Sequence, residues 1–270
     1  MNNVSLLDFY HDRYAEDARL RRSPHGRLEF LRTRELLRRH LSGPDLRILD
    51  VGGATGIHAA WLAADGHRVH VVDPIPAHVE ASAALEGVTA ELGDARRLTQ
   101  ADGSADVVLL FGPLYHLTAA ADRARAIAEG VRVLRPGGLL AAAGISRYLS
   151  LIEDGTGGRL TAAAESPIRT VIESGDYDGH VGFVESHFHT ADELTAELSD
   201  LDDVVVYGVE GPAWPALDVA GLTDFDRLAD SALRCARLVE RDPLMINASA
   251  HLLAIGRTRL RPETRNAGSP

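Results

Sequence analysis

Lysine is absent from this 270-residue chain: all 28 of its basic residues are arginine. That excludes the P-loop Gly-Lys-Ser/Thr, a pyridoxal Schiff base and the Tyr-x-x-x-Lys hydride-transfer pair. Cysteine is nearly absent as well. Cys235 stands alone, so no disulfide can close within the chain, and its helical surroundings (Leu233, Ala236, Leu238) suit a packed small residue better than a nucleophile. No run reaches the ~18 apolar residues of a membrane helix. The N-terminal MNNVSLLDFYHDRYAED lacks a signal-peptide core, so a cytoplasmic protein is expected. Positive charge is in deficit, with a formal net charge of −11, which disfavours nucleic acid as the main partner. Arginine is nonetheless dense from Arg19 to Arg39, where Leu28, Leu31, Leu36, Leu37 and Leu41 keep roughly helical spacing. A solvated helix face is the plain reading there, and an anion- or RNA-facing patch the alternative.

The remaining composition, 45% hydrophobic and 25% charged, is that of a globular protein with a sizeable core. Apolar runs alternate with helical patterns from residue 47 to about 145, the signature of βαβ units and a parallel sheet. The pattern predicts strands at Arg47–Val51, Val69–Asp73, Val88–Leu92, Asp106–Phe111 and Gly138–Gly144. It predicts helices at Ile57–Ala64, Ala77–Leu85 and Ala119–Leu134. Gly66 ends the first helix, and Pro136-Gly137 turns the chain into the fifth strand. A helix at Ala191–Leu198 and strands at Val204–Val209 and His251–Ile255 complete the domain. Insertions at 146–189 and 211–247 interrupt it and read as lid or substrate elements. The chain thus divides into an N-terminal helical segment (1–44), a main domain (45–260) and a tail (261–270) that reads as disordered.

One stretch, ILDVGGATG at 48–56, decides what the sheet holds. A strand ends in Asp50 and breaks into small residues before a helix, the place where α/β proteins grip nucleotide-like cofactors. The dinucleotide fingerprint fails in both registers: from Gly52, positions 3 and 6 are Ala54 and Ile57, and from Gly53 they are Thr55 and His58. What fits is Asp-x-Gly-x-(Gly/Ala)-x-Gly, as Asp50, Gly52, Ala54 and Gly56. Here the chain resembles the class I S-adenosylmethionine-dependent methyltransferases, in particular the small-molecule branch that includes ubiquinone-biosynthesis enzymes. The resemblance implies an α/β, Rossmann-like fold with a mainly parallel seven-stranded sheet, helices on both faces and lid-like insertions. It covers roughly residues 45–145 well and the last two strands loosely.

S-adenosylmethionine has no pyrophosphate, so the turn must instead let backbone pass close to an amino-acid moiety, as Gly52, Gly53, Ala54 and Gly56 permit if Ala54 keeps a negative φ. Asp50 could meet the ligand's ammonium. Asp73, in HVVDP with Pro74, ends the second strand where an acid accepts from ribose hydroxyls. In ELGDAR the resemblance implies that Asp94 meets the adenine amino group and the Ala95 amide a ring nitrogen. Any one of these acids could be a turn or helix cap, but three in order at three strand ends point to a site.

LLFGPLYHLT, 109–118, leaves the fourth strand where the resemblance puts the transferable methyl, with Phe111 at its start. Gly112-Pro113-Leu114-Tyr115 resembles the Asn-Pro-Pro-Tyr of nucleobase amine methyltransferases, but Gly112 has no carbonyl to hold an amine. In-line methyl transfer needs an aligned nucleophile and often a base. His116 is the candidate base, or else a cap for the helix at Ala119; Tyr115 is a candidate for the methyl site, or a packed tyrosine. Tyr10 and Tyr14 share a helix face; the resemblance implies that this segment folds over the cofactor, with Tyr14 at its carboxylate and Tyr10 toward substrate, and a core stripe is the alternative. Arg147 and Tyr148 follow the fifth strand as candidate substrate ligands, Arg147 otherwise forming a surface ion pair. His189, in SHFHT beside His187, is a further pocket candidate, and no metal site is expected.

The expected protein is therefore a methyltransferase acting on a small organic molecule, oxygen preferred over nitrogen or carbon as nucleophile. S-adenosyl-L-methionine is the expected cofactor, and homodimerisation stays open. The rivals are a nicotinamide dehydrogenase, an RNA methyltransferase using Arg19–Arg39, and a non-catalytic S-adenosylmethionine-binding protein.

Overall fold

The computed structural model describes residue 20 and residues 23–179 and 183–260. The expected alternation is present: β1 (Arg47–Val51), α2 (Ile57–Ala64), β2 (Arg68–Asp73), α3 (Pro76–Ala83), β3 (Val88–Leu92), β4 (Ala105–Leu110), α5 (Ala120–Val133) and β5 (Leu134–Ile145). Ahead of them lies α1 (Pro24–His40), and between β4 and α5 a short helix, α4 (Pro113–His116), that the sequence pattern did not indicate. The first insertion is largely helical, with α6 (Leu149–Thr156), α7 (Ala162–Ser174) and a two-strand ribbon of β6 (Asp176–Tyr177) and β7 (Ser186–His187). Then come α8 (Ala191–Glu197) and β8 (Asp202–Gly208). The second insertion contributes α9 (Trp214–Ala220) and α10 (Phe225–Val239) before β9 (His251–Arg257).

The seven-stranded sheet has the order β3-β2-β1-β4-β5-β9-β8. Its first five strands pair in parallel, and β9 runs antiparallel to both β5 and β8. Side chains alternate across it, as pleating demands. Ile48, Val71, Leu109 and Ala141 face one layer with Ala59, Leu62, Leu36 and Leu37 of α2 and α1. Leu49, Val72, Leu110 and Ala142 face the other with Ile127 of α5, Leu194 of α8 and Leu198 just beyond it. Both faces are thus covered, which explains why the strands read as continuous apolar runs rather than alternating ones.

The insertions form two satellite cores. Trp214, Leu217 and Phe225 of the second insertion bury against Leu28 of α1, while Tyr177 and Phe188 of the first join Val171 and Ile145. The arginines of α1 are engaged internally more than the solvated-face reading implied. Arg32 is fully buried, donating to the Val209 carbonyl (3.1 Å), Glu35 (2.7 Å) and Glu240 (2.6 Å). Arg38 pairs with Asp65 and Arg39 with Glu240. Arg19, within the dense stretch, lies outside the described residues.

Candidate functional site

Parallel strands that share a direction bring their carboxyl ends to one rim, and there the acids of β1 and β2 meet the loop after β3. A cavity of about 220 Å³ opens at this rim, lined by Asp50, Gly52, Gly53, Ala54, Asp73, Pro74, Asp94, Ala95 and Phe111, among others. Asp50 is 1% exposed, and among the described residues neither of its carboxylate oxygens has a hydrogen-bond partner. Burial, aided by the neighbouring Asp73 charge, pushes this carboxyl up to about 7. A buried carboxylate without donors is costly, and a cationic group entering the cavity would remove the cost.

The turn is shaped by close approach. A Cβ on Gly53 would lie 2.6 Å from Asp50 Oδ2, and one on Gly52 (φ 72°) would lie 2.8 Å from the Pro113 ring. Glycine is therefore required at both positions. Ala54 departs from the expected geometry: its φ is +48°, in the left-handed region rather than the negative range. It is held there because its amide donates to Asp73 Oδ2 (3.0 Å). Asp73 also accepts from the Ile75 amide (2.9 Å) and faces His78 Nδ1 at 3.0 Å, so its carboxylate is fixed in place. Gly56 adopts φ 83° at the entrance to α2 and does not itself line the cavity. Asp94 receives Arg96 through side chain (2.6 Å) and backbone (2.8 Å), and these bonds hold its carboxyl below the usual range.

The β4 loop closes the next wall. Gly112 lies against the Gly52 carbonyl, 3.2 Å from where its Cβ would stand, so two loops touch through two glycines. Tyr115 and His116 both line the cavity, with ring centroids 4.5 Å apart. Phe183 of the first insertion packs beside them, 5.6 Å from the His116 ring. Burial in this aromatic setting pushes the His116 imidazole down to about 3, and the Asp73 charge offsets only part of that. This environment disfavours the general-base role expected of His116.

Three expected substrate residues lie elsewhere. Arg147 donates to Glu193 (2.7 Å) and to the carbonyls of Glu173 and Phe188; it ties the first insertion to α8 and is not in the cavity wall. His189 is fully buried, 3.4 Å from Glu197, and Tyr148 stands at the start of α6; neither joins the lining. Tyr10 and Tyr14 lie outside the described residues.

Sequence reasoning missed a further group in the cavity wall: Glu29 of α1 and His251 of β9 line it, backed by Glu210. Glu210 is fully buried just beyond β8, with His251 Nδ1 2.6 Å from its Oε1. The available signal was an acid ending a strand, the same one that marked Asp50 and Asp73, but its histidine partner is 41 residues away.

Comparison with known proteins agrees with this geometry. Residues 49–142 match the methyltransferase domain family. An uncharacterised methyltransferase of Mycobacterium tuberculosis is 43% identical over 95 residues, 35% of this chain and 37% of that protein. The ubiquinone/menaquinone biosynthesis C-methyltransferase of Acidiphilium cryptum is 36% identical over 103 residues, 35% of this chain and 40% of that protein. The chain thus spans about two fifths of the length of these curated relatives. A Haemonchus contortus phosphoethanolamine N-methyltransferase in complex with S-adenosyl-L-methionine shares the fold at 14% identity, with a TM-score of 0.57 over 96% of this chain and 60% of that one. Among the described residues, no helix is long and apolar enough to cross a membrane.

Proposed function

We propose that this chain, which belongs to the class I S-adenosylmethionine-dependent methyltransferases, transfers a methyl group to a small organic molecule, with a hydroxyl oxygen as the preferred nucleophile. The observation that carries the reading is Asp50: a buried carboxylate with no donor, set against a two-glycine turn in a cavity shared with Asp73 and Asp94. These residues fit the cofactor. Asp50 would take the ammonium, Gly52 and Gly53 would admit the amino-acid moiety, Asp73 would accept from the ribose, and Asp94 with Ala95 would meet the adenine edge. When bound, S-adenosylmethionine supplies an electrophilic methyl on a sulfonium.

The protein's part is to hold the acceptor in line with that methyl and to exclude water. Gly112, Tyr115 and Phe111 line the cavity where the acceptor would lie, and Phe183 brings the first insertion against Tyr115 and His116 in the manner of a lid. The test is calorimetric titration with S-adenosylhomocysteine, with NAD in parallel, followed by transfer from labelled S-adenosylmethionine to a panel of phenols and aliphatic alcohols. Micromolar S-adenosylhomocysteine binding with methyl ether formation supports the reading. Binding of NAD instead would reject it, and binding without transfer to any acceptor would favour a non-catalytic role.

A further inference from the structure

We infer that His251, backed by the buried Glu210 carboxylate, is the group that takes the acceptor's proton in this cavity, an inference that rests on the methyl-transfer reading above. Topology assembles the pair. Because β9 runs antiparallel between β5 and β8, it begins where they end, so His251 pairs with Ile145 at the same rim that carries the acids. Glu210 follows β8 and is held rigidly: its Oε2 accepts from Ser249 Oγ (2.7 Å) and from the His251 amide (2.9 Å), while its Oε1 faces His251 Nδ1 at 2.6 Å. Ser249 Oγ in turn accepts from the Glu210 and Gly211 amides. With Glu210 as a carboxylate, which can only accept, Nδ1 carries the imidazole proton and the basic lone pair sits on Nε2. Glu29 brings a second carboxylate oxygen 3.5 Å from the same Nδ1, so two negative groups stabilise the imidazolium that forms.

Four imidazoles line the cavity, and the other three have different settings. His78 is joined to Asp73 at the cofactor end. His58 receives the Trp61 indole N–H at 3.2 Å and packs edge-on against Phe111. His116 lies among Tyr115 and Phe183, where burial makes it a weak base. Two of these wall imidazoles carry a carboxylate on a ring nitrogen, His78 and His251; the partner of His78 is Asp73, which the methyl-transfer reading assigns to the ribose, and this leaves His251 for the acceptor. In the step, the acceptor's hydroxyl proton passes to Nε2 of His251 as the oxygen forms its bond to the methyl carbon, and the carbon–sulfur bond breaks with its electron pair left on sulfur. Glu210 acts as a positioning residue. Two carboxylates at this end also repel an anionic acceptor, so the substrate class is a neutral hydroxyl compound rather than a carboxylate or phosphate.

The experiment is a pH titration, from 5 to 9, of ¹⁵N-histidine-labelled protein saturated with S-adenosylhomocysteine, following the imidazole nitrogens by NMR. The resonance lost in His251→Gln should show Nδ1–H as its neutral tautomer, and Glu210→Gln should lower its midpoint. With a methyl-accepting phenol or alcohol, His251→Gln should reduce turnover on the order of a hundredfold or more while S-adenosylhomocysteine affinity stays within about twofold. A His251 ring that holds one protonation state throughout, or an unchanged midpoint in Glu210→Gln, overturns the assignment. Stoichiometric zinc uptake abolished by His251→Gln would also overturn it, since Glu29, Glu210 and His251 each place a ligand atom within 4.8 Å of the others. Failure of S-adenosylhomocysteine to bind would instead strike the methyl-transfer reading itself.

Discussion

Asp50→Asn should stabilise the ligand-free protein and weaken S-adenosylhomocysteine binding, both with a defined pH dependence. Burial first, and the Asp73 charge second, raise the Asp50 carboxyl from 3.8 to about 7. A carboxyl raised on folding contributes its full stability below its unfolded pKa and loses it as pH climbs through the folded value. At 1.36 kcal/mol per unit, the raised carboxyl costs the folded state about 4 kcal/mol at pH 8, where Asp50 is ionised, and about 2 kcal/mol at pH 5, where it keeps a proton that the unfolded chain releases. Asparagine mimics the protonated acid, so the variant should gain roughly these amounts in urea unfolding at the two pH values, and nothing at pH 3. Binding runs the other way. An ammonium beside Asp50 restores its ionised form, so wild-type affinity for S-adenosylhomocysteine should tighten roughly tenfold between pH 6 and pH 7.5, while the variant's weaker affinity stays flat. An equal stability gain at pH 5 and pH 8, or a pH-independent wild-type dissociation constant, would refute the reasoning.

Three further perturbations test other parts of the structure. Ala54→Gly should raise stability by about 1 kcal/mol, since φ +48° disfavours alanine but not glycine; a melting temperature that fails to rise by some 2–4 °C counts against the strain. His116→Phe should blunt the acid limb of unfolding: a histidine lowered to about 3 on folding supports stability above pH 6.5 and loses that support as pH falls toward 3. Acid limbs that run parallel in the two proteins would contradict it. Glu193→Gln should cost about 1–3 kcal/mol, because Glu193 joins Arg147 and His187, and should expose residues 149–188 to limited proteolysis while leaving S-adenosylhomocysteine affinity within about twofold. The carboxyl is held down to about 2 despite its partial burial, so its contribution is present above pH 4.5 and fades as pH falls through 2. An unchanged cleavage pattern would show that this network does not hold the insertion in place.

What was legible in the sequence follows from which interactions are local. Strands covered on both faces read as apolar runs, so β1 and the cores of β2, β4 and β5 stood out along with the helices that separate them, while β3, half-exposed at the sheet edge, was placed by the alternation of elements. Helix α4 did not, because four residues are too few to show a period, and Pro113 at its first turn reads equally as a loop. The conformation of Ala54 was also misjudged. Residue type favours negative φ there, and what overrides it is one hydrogen bond to Asp73, whose position depends on the pairing of β1 with β2. Arg147 shows the same limit from the other side: a guanidinium leaving a strand end suggests a ligand-binding role, yet Glu193 and three backbone carbonyls engage it.

Two groups of the cavity wall differ in how the chain builds them. Asp50, Asp73 and Asp94 end or follow three successive strands joined by short helices, so their order along the chain is their order in space, and the motif survives in one dimension. The Glu29–Glu210–His251 group instead draws Glu29 from α1, Glu210 from beyond β8 and His251 from β9, which runs antiparallel to both neighbours. An inserted segment, 211–247, separates the last two, and only the return of β9 between β5 and β8 sets imidazole against carboxylate at 2.6 Å. The insertion does not line the cavity; it packs Trp214 and Leu217 against Leu28 on the same helix that presents Glu29. Under the proposed assignment of His251, acceptor binding depends on that packing. Leu217→Ala, distant from the cofactor end, should weaken acceptor binding more than S-adenosylhomocysteine binding, at a cost of about 2–5 kcal/mol in unfolding free energy. Equal losses for both ligands would instead mean that the insertion supports the domain as a whole and does not set the position of Glu29.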